Sequence, residues 1–125
     1  GKMMWKRPFG TMKESGPFAW KSGLPFDVGT PTQGSAMTTR GGLIFHAGAM
    51  DSTIRAYDER TGKVLWSSPL PGSAHTTPMS YLAPSGRQIV VVTVPNPSWA
   101  YPRSPNDKPS DDQGGYVIAY ALEDM

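Results

Sequence analysis

The chain has 125 residues, 38% of them apolar, which is enough for a folded core and argues against wholesale disorder. Fourteen glycines and thirteen prolines interrupt every stretch of helical period, so a helical fold is excluded. A net charge of +2 with scattered cationic residues predicts no nucleic-acid partner, and the lack of cysteine excludes disulfides and thiolate metal sites.

The first half of the chain predicts strands separated by Gly- and Pro-rich connections. We expect an outer strand at 2–9, in which Trp5 is the largest apolar residue, and then a long irregular connection at 10–33. That connection is either an ordinary insertion or a functional segment. Four more strands, predicted at 35–39, 43–49, 52–58 and 63–70, form an antiparallel sheet within 34–70.

The second half predicts three strands, at 76–82, 88–94 and 116–122. Residues 89–94 are all β-branched, which is typical of a strand covered on both faces. The loop at 95–115 contains five prolines and therefore resists both helix and central strand. We expect an incomplete second sheet within 76–122.

The stretch 56–66 reads as strand, tight turn and strand, with Asp58 and Gly62 in the turn. Asp58 is expected to accept hydrogen bonds from amides across the turn, and Gly62 to take a positive φ. Parts of this hairpin recur: 1–5 matches 62–66 at an offset of 61 residues (1 to 62), and 117–120 matches 54–57 at an offset of 63 (54 to 117). Such spacing predicts a repeat architecture, of which this chain is a fragment.

The pattern Ala-x-Asp-x-x-Thr-Gly-Lys-x-x-Trp at 56–66 resembles the tryptophan-docking motif of the pyrroloquinoline-quinone (PQQ) dehydrogenases. Similarity from 29–32 through 78–81 to 117–122 looks like the C-terminal end of the membrane-bound quinoprotein glucose, quinate and polyol dehydrogenases. The resemblance implies an all-β fold: a β-propeller fragment with about two four-stranded antiparallel blades of an eight-bladed propeller. It would comprise an outer strand at 1–9, a complete blade at 34–70 and an incomplete last blade at 76–122. The structural docking residues would be Trp5, Trp66, Gly62 and Asp58, with both indoles buried between neighbouring blades.

The resemblance also implies an activity for the parent protein. It would oxidise a sugar, polyol or cyclic hydroxy acid with PQQ and Ca²⁺, and pass electrons to ubiquinone on the periplasmic side of the bacterial inner membrane. Most cofactor and calcium contacts of the family lie upstream, so no catalytic residue and no metal ligand is expected in this segment. Its partner would be the remainder of the propeller, and the isolated chain is expected to be inactive and to self-associate. The alternative is a non-catalytic propeller scaffold for protein interaction, similar to lipoproteins of outer-membrane assembly.

Asp51 is the candidate cofactor-binding residue. By sequence alone it is a turn residue that satisfies local amides, whereas the resemblance implies that it lies close to PQQ. Thr30, Thr32 and Trp99 are expected at the rim of the substrate pocket. Trp99, together with Tyr101, either forms part of the pocket wall or covers the edge of a blade.

Two histidines and one missing motif complete the predictions. His46 is expected to be a structural histidine on a strand, and His75 a solvated loop residue. They lack carboxylate partners at ligand spacing and so predict no metal site. The Gly-Gly-His-Gly segment of the glucose-oxidising relatives is replaced by Val94-Pro95-Asn96-Pro97, which puts glucose as the substrate in doubt.

Overall fold

The computed structural model of the chain describes residues 1–11, 29–30, 32–95 and 115–121. These residues contain seven strands in two antiparallel sheets and no helix, so the predicted all-β fold is confirmed. Accordingly, this part of the chain has no helix of the length and hydropathy that crossing a membrane requires.

The first sheet has four strands paired in chain order: β1 Met37–Thr38, β2 Leu43–His46, β3 Thr53–Asp58 and β4 Val64–Pro69. Its central strand β3 is covered on both faces. Ile54 and Ala56 are buried on one face, and Arg55 and Tyr57 on the other. The register of β3 against β4 shifts between Ala56 and Tyr57.

The second sheet has three strands in the order β5 Met79–Leu82, β6 Gln88–Val94 and β7 Tyr116–Ala121. Strand β6 buries Val90, Val92 and Val94, but its other face is half-buried to exposed. The expectation that this strand is covered on both faces is therefore wrong. A β-branched run favours a strand, but a second covered face also needs a neighbouring layer, and no described strand lies there. Val117, on that outer face of β7, is 76% exposed.

The hydrophobic core lies between the two sheets. It is built from small and β-branched side chains with few aromatic ones: Phe45, Ala47, Ile54, Ala56, Leu70, Ala74, Val90, Val92 and Val94. Trp66 of the first sheet meets Tyr120 of the second edge-on, with ring centroids 5.1 Å apart. The sheets therefore pack face to face, as successive blades of a propeller do.

The predicted strand at 2–9 is not present, since residues 1–11 carry no strand. A strand needs a backbone partner, and none of the described strands pairs with these residues. Side chains hold the segment instead, on the face of the first sheet opposite the core. Phe9 stacks on His46 with centroids 3.9 Å apart and lies 6.4 Å from Tyr57. Beyond it, the backbone of Phe9 and Gly10 bonds to 29–30 at 2.8 and 3.1 Å.

Candidate functional site

The strand order places the connections at two opposite ends of the sheets. Connections 47–52 and 70–78 and the start of loop 95–115 lie at one end, here called the site end. The turns at 39–42, 58–63 and 83–87 lie at the other, here called the docking end. Contacts join the connections at the site end: the Ser73 hydroxyl donates to the Ala49 carbonyl at 2.9 Å, and the Thr76 and Thr93 hydroxyls lie 2.7 Å apart.

At the docking end, Asp58 closes the turn at 58–63. Its Oδ1 accepts hydrogen bonds from the amides of Arg60 and Thr61 at 2.9 and 2.8 Å and from the Thr61 hydroxyl at 3.0 Å. The amide and hydroxyl hydrogen bonds from Thr61 lower the pKa of Asp58. The backbone carbonyl of Asp58 accepts from the Gly62 amide at 2.9 Å. The carboxylate is therefore used entirely on its own turn.

Trp5 lies against this turn. Its indole nitrogen donates to the Glu59 carbonyl at 2.8 Å, and the Arg7 guanidinium donates to the Gly62 carbonyl at 2.7 Å. Gly62 has a φ of 70°, and a Cβ at this position would lie 2.5 Å from Cε3 of the Trp5 ring. Glycine is therefore required at 62 for two reasons, the backbone conformation and the approach of the ring.

Neither indole is buried between neighbouring blades as expected, since Trp5 is half-buried and Trp66 is 39% exposed. The contacts of Trp66 are Tyr120 and Phe45. The repeat offset of 63 matches Glu59 and Gly62 to positions 122 and 125, which lie outside the described residues. No described residues therefore correspond, at this offset, to the two residues whose carbonyls Trp5 and Arg7 contact.

At the site end, Asp51 is 1% exposed. Its two carboxylate oxygens face the guanidinium of Arg55: Nη1 lies 3.1 Å from Oδ1, and Nη2 contacts Oδ2. Oδ2 also accepts from the amide and the hydroxyl of Thr11, at 2.9 and 3.2 Å. The turn itself is closed by the backbone of Asp51, whose carbonyl accepts from the Thr53 hydroxyl at 2.9 Å.

Opposing effects act on the charge of Asp51. Burial is the largest single effect and raises its pKa, but the hydrogen bonds from Arg55 and Thr11 and the charge of Arg55 together lower the pKa below its usual value. The carboxylate therefore stays ionised at neutral pH. Arg55 is itself only 8% exposed, so each charge depends on the other for its stability in the interior.

An aromatic layer covers this ion pair. The guanidinium carbon of Arg55 lies 5.8 Å from the centroid of the Phe9 ring, which stacks on His46. Burial lowers the pKa of His46, a backbone hydrogen bond with Gly34 raises it, and the charge of Arg55 lowers it, for a net decrease. Within the described ranges, Nε2 of His46 is buried without a hydrogen-bond partner. His46 is thus a neutral packing residue of the site end.

The other predicted site residues lie near Asp51 or outside the described ranges. The Thr30 hydroxyl accepts from the Met50 amide at 3.2 Å, and Thr32 forms an isolated bridge with Ala49. Trp99 and Tyr101 are outside the residues that the structure describes. Their assignment to a pocket rim stays a prediction. His75 is half-buried rather than solvated and lines an open cleft with Thr93, Pro95 and Tyr116.

Sequence reasoning missed three residues of the site end: Phe9, Thr11 and Arg55. Arg55 carried a signal, because a charged residue interrupts the apolar strand that follows Asp51. No sequence signal marked Phe9 or Thr11, because they belong to the preceding repeat and lie far from Asp51 along the chain. Among the described residues, no three His, Asp or Glu side chains come together as a metal-binding group.

Comparison with known proteins identifies the repeat. Residues 1–90 match the family model of the PQQ glucose/ethanol/alcohol dehydrogenase β-propeller domain. The chain belongs to this family. The two sheets are therefore propeller blades, and the resemblance drawn from the docking motif is confirmed.

Among its relatives, the quinate/shikimate dehydrogenase (quinone) of Acinetobacter baylyi is 42% identical over 98% of this chain and 14% of its own length. The glycerol dehydrogenase large subunit of Gluconobacter oxydans is 46% identical over 73% of the chain and 12% of its own length. The quinoprotein glucose dehydrogenase of Escherichia coli is 32% identical over 98% of the chain and 14% of its own length. The chain thus spans a small fraction of the length of these dehydrogenases.

Proposed function

We propose that the full-length protein carrying this PQQ propeller segment is a quinoprotein dehydrogenase that oxidises an alcohol group of a cyclic hydroxy acid or polyol. The observation that carries the proposal is the 42% identity with a quinate/shikimate dehydrogenase over 98% of the chain, against 37% and 32% with two glucose dehydrogenases over 99% and 98% of it. The sequence Val94-Pro95-Asn96-Pro97 in place of Gly-Gly-His-Gly also disfavours glucose.

We propose that the residues of the site end form part of the wall of a PQQ site. When bound, PQQ supplies a quinone that takes up two electrons from the substrate alcohol. Asp51 has both oxygens occupied and is 1% exposed, so it does not present a carboxylate to a ligand directly. Its role in this proposal is to hold the Arg55 guanidinium in one orientation at the site end, as part of an ion pair that carries no net charge.

Other components of the proposed enzyme come from outside this segment. They are the Ca²⁺ ion, the aspartate base and most of the PQQ contacts, for which the family resemblance implies an upstream position. For the same reason we propose that the isolated chain does not turn over substrate. We further propose ubiquinone as the electron acceptor and the periplasmic side of the bacterial inner membrane as the location. The name of the quinate/shikimate relative, which specifies a quinone, supports this choice of acceptor.

The test uses the full-length protein, prepared without cofactor and titrated with PQQ in the presence of Ca²⁺. We expect saturable PQQ binding, followed by oxidation of quinate or shikimate in preference to glucose, with a soluble ubiquinone analogue as acceptor. Glycerol tests the polyol class in the same assay. Absence of PQQ binding would refute the proposal and favour the scaffold alternative. Binding with a preference for glucose would refute only the substrate class.

A further inference from the structure

Residues 5–11, here called the docking segment, join the two ends of the first blade. Trp5 and Arg7 hold the turn at the docking end, at 2.8 and 2.7 Å, and Thr11 holds Asp51 at the site end, at 2.9 Å. Six residue steps of extended chain cover about 20 Å, which is the length of an ordinary strand. One short segment of the preceding repeat therefore contacts both ends of the following blade.

The Asp51–Arg55 pair is enclosed by this segment. Thr11 supplies two of the hydrogen bonds to Oδ2 of Asp51, and the Phe9 ring lies 5.8 Å from the guanidinium carbon of Arg55. Asp51 is 1% exposed and Arg55 is 8% exposed when the docking segment is in place. Without it, water reaches the pair, and the geometry of the carboxylate is set by Arg55 alone.

We propose that Phe9 and Thr11 are positioning residues for the PQQ site, and that the docking segment assembles the buried charge pair from two successive repeats. The inference rests on the proposed function, because it assigns the pair a role toward PQQ. Phe9 and Thr11 act through Asp51 and Arg55 rather than on the cofactor. Docking of Trp5 at one end of the blade thus contributes to the geometry of the charges at the other end.

The first test replaces Thr11 in the full-length protein. Thr11→Val removes the hydroxyl donor to Asp51 and keeps the shape and the amide, whereas Thr11→Ser keeps the hydroxyl. We expect the apparent Kd for PQQ to rise about five-fold or more in Thr11→Val, because a hydrogen bond to a charged group is strong enough to shift a binding equilibrium by that factor. Thr11→Ser should restore the affinity.

The matched control is Thr39→Val. The Thr39 hydroxyl also bonds within the first blade, to the backbone of Leu43 at 3.2 and 3.4 Å, but at the docking end. This variant loses a comparable hydrogen bond without touching Asp51. Its affinity for PQQ should stay within about two-fold of wild type, since uncoupled distant sites contribute additively.

A pH profile separates positioning from a merely structural role. Thr11 helps to keep the pKa of Asp51 low, so the carboxylate should protonate at a higher pH in Thr11→Val. We expect acid release of PQQ from this variant to shift to higher pH, with no shift in Thr39→Val. Trp5→Phe loses the indole donor to Glu59 at the docking end. Despite its distance from Asp51, this variant should also weaken PQQ binding.

The possible outcomes separate the proposed function from the positioning role. If the wild-type protein binds no PQQ, the proposed function fails and this inference fails with it. If the wild type binds PQQ, but Thr11→Val binds it equally well and releases it at the same pH, only the inference is overturned. The inference is also overturned if Thr39→Val weakens binding as much as Thr11→Val does, because the effect would then be general destabilisation.

Discussion

The contact between Gly62 and the Trp5 ring gives a sharp prediction for Gly62→Ala. The backbone at 62 has a φ of 70°, which an L-residue adopts at a cost of about 1–2 kcal/mol. The new methyl group would also lie 2.5 to 3.0 Å from three carbons of the indole, so the ring must move. Moving it weakens the hydrogen bond to Glu59, worth about 0.5–1.5 kcal/mol.

Gly86→Ala is the matched control. Gly86 has a φ of 79°, close to that of Gly62, but no atom lies within 4 Å of a Cβ built there. This substitution therefore carries the conformational cost without the collision. We expect a loss of about 1.5–3.5 kcal/mol for Gly62→Ala and about 1–2 kcal/mol for Gly86→Ala.

Hydrogen exchange in the full-length protein measures these losses locally. The amides of Asp58, Thr61 and Gly62 are hydrogen-bonded within the turn and report its opening. Gly62→Ala should accelerate their exchange, and the difference from Gly86→Ala corresponds to roughly 2–13-fold in the opening equilibrium. In a Trp5→Ala background most of the difference should vanish. Equal effects of the two glycine substitutions on their own turns would refute the docking geometry.

Three further predictions follow from the same contacts. Because the pKa of Asp51 is lowered, its ionised carboxylate stabilises the fold above the unfolded pKa of about 3.9, and this stabilisation is lost as pH falls through the folded pKa. Asp51→Asn should lower the free energy of unfolding by about 3–5 kcal/mol at pH 7. In thermal melts, the melting temperature of this variant should fall less steeply at acid pH than that of the wild type. Trp5→Ala should cost up to about 3 kcal/mol, because Trp5 is half-buried and also loses its hydrogen bond to Glu59, and Trp66→Ala should cost less, because Trp66 is 39% exposed. Exchange in the 58–63 turn and in β7 reports the two losses, and an equal cost would contradict the docking role of Trp5. The isolated chain should self-associate through the edge of β7 that no other described strand pairs with, and it should bind no PQQ, as light scattering and cofactor titration would show. A monodisperse monomer that binds PQQ tightly would contradict both expectations.

The sequence predicted the strands because local signals determine them. The hairpin at 56–66 combines apolar strand positions with Asp58 and Gly62 in the turn, and the structure forms β3 and β4 on either side of that turn. The Gly-Gly turn at 41–42 separates β1 from β2 in the same way. Both features depend on residues that are neighbours along the chain.

The error at 2–9 and the missed Thr11 have one physical cause. A strand pattern predicts an extended backbone, but a β-strand also needs a second strand to pair with. The sequence pattern of a segment between repeats does not show whether such a strand is present. The contact between Thr11 and Asp51 spans 40 residues, and Trp5 reaches Glu59 over 54. The docking motif implied that Trp5 is a docking residue but not that Glu59 is its partner, and Thr11 carries no local signature in the sequence. Contacts between repeats therefore had to come from the structure.

Asp51 and Asp58 show how the structure separates a turn residue from a site residue within one blade. Both aspartates occupy turns beside β3, and local sequence alone predicts the same turn role for each. Asp58 places its carboxylate on the amides of its own turn, as a turn residue should. At Asp51 the backbone carbonyl bonds within the turn, to the Thr53 hydroxyl, whereas the carboxylate bonds to Arg55 and Thr11. Burying a paired charge costs desolvation energy that turn formation does not require. The arrangement of Asp51 therefore needs a reason beyond the turn, and the proposed positioning role of the Asp51–Arg55 pair toward PQQ would provide one.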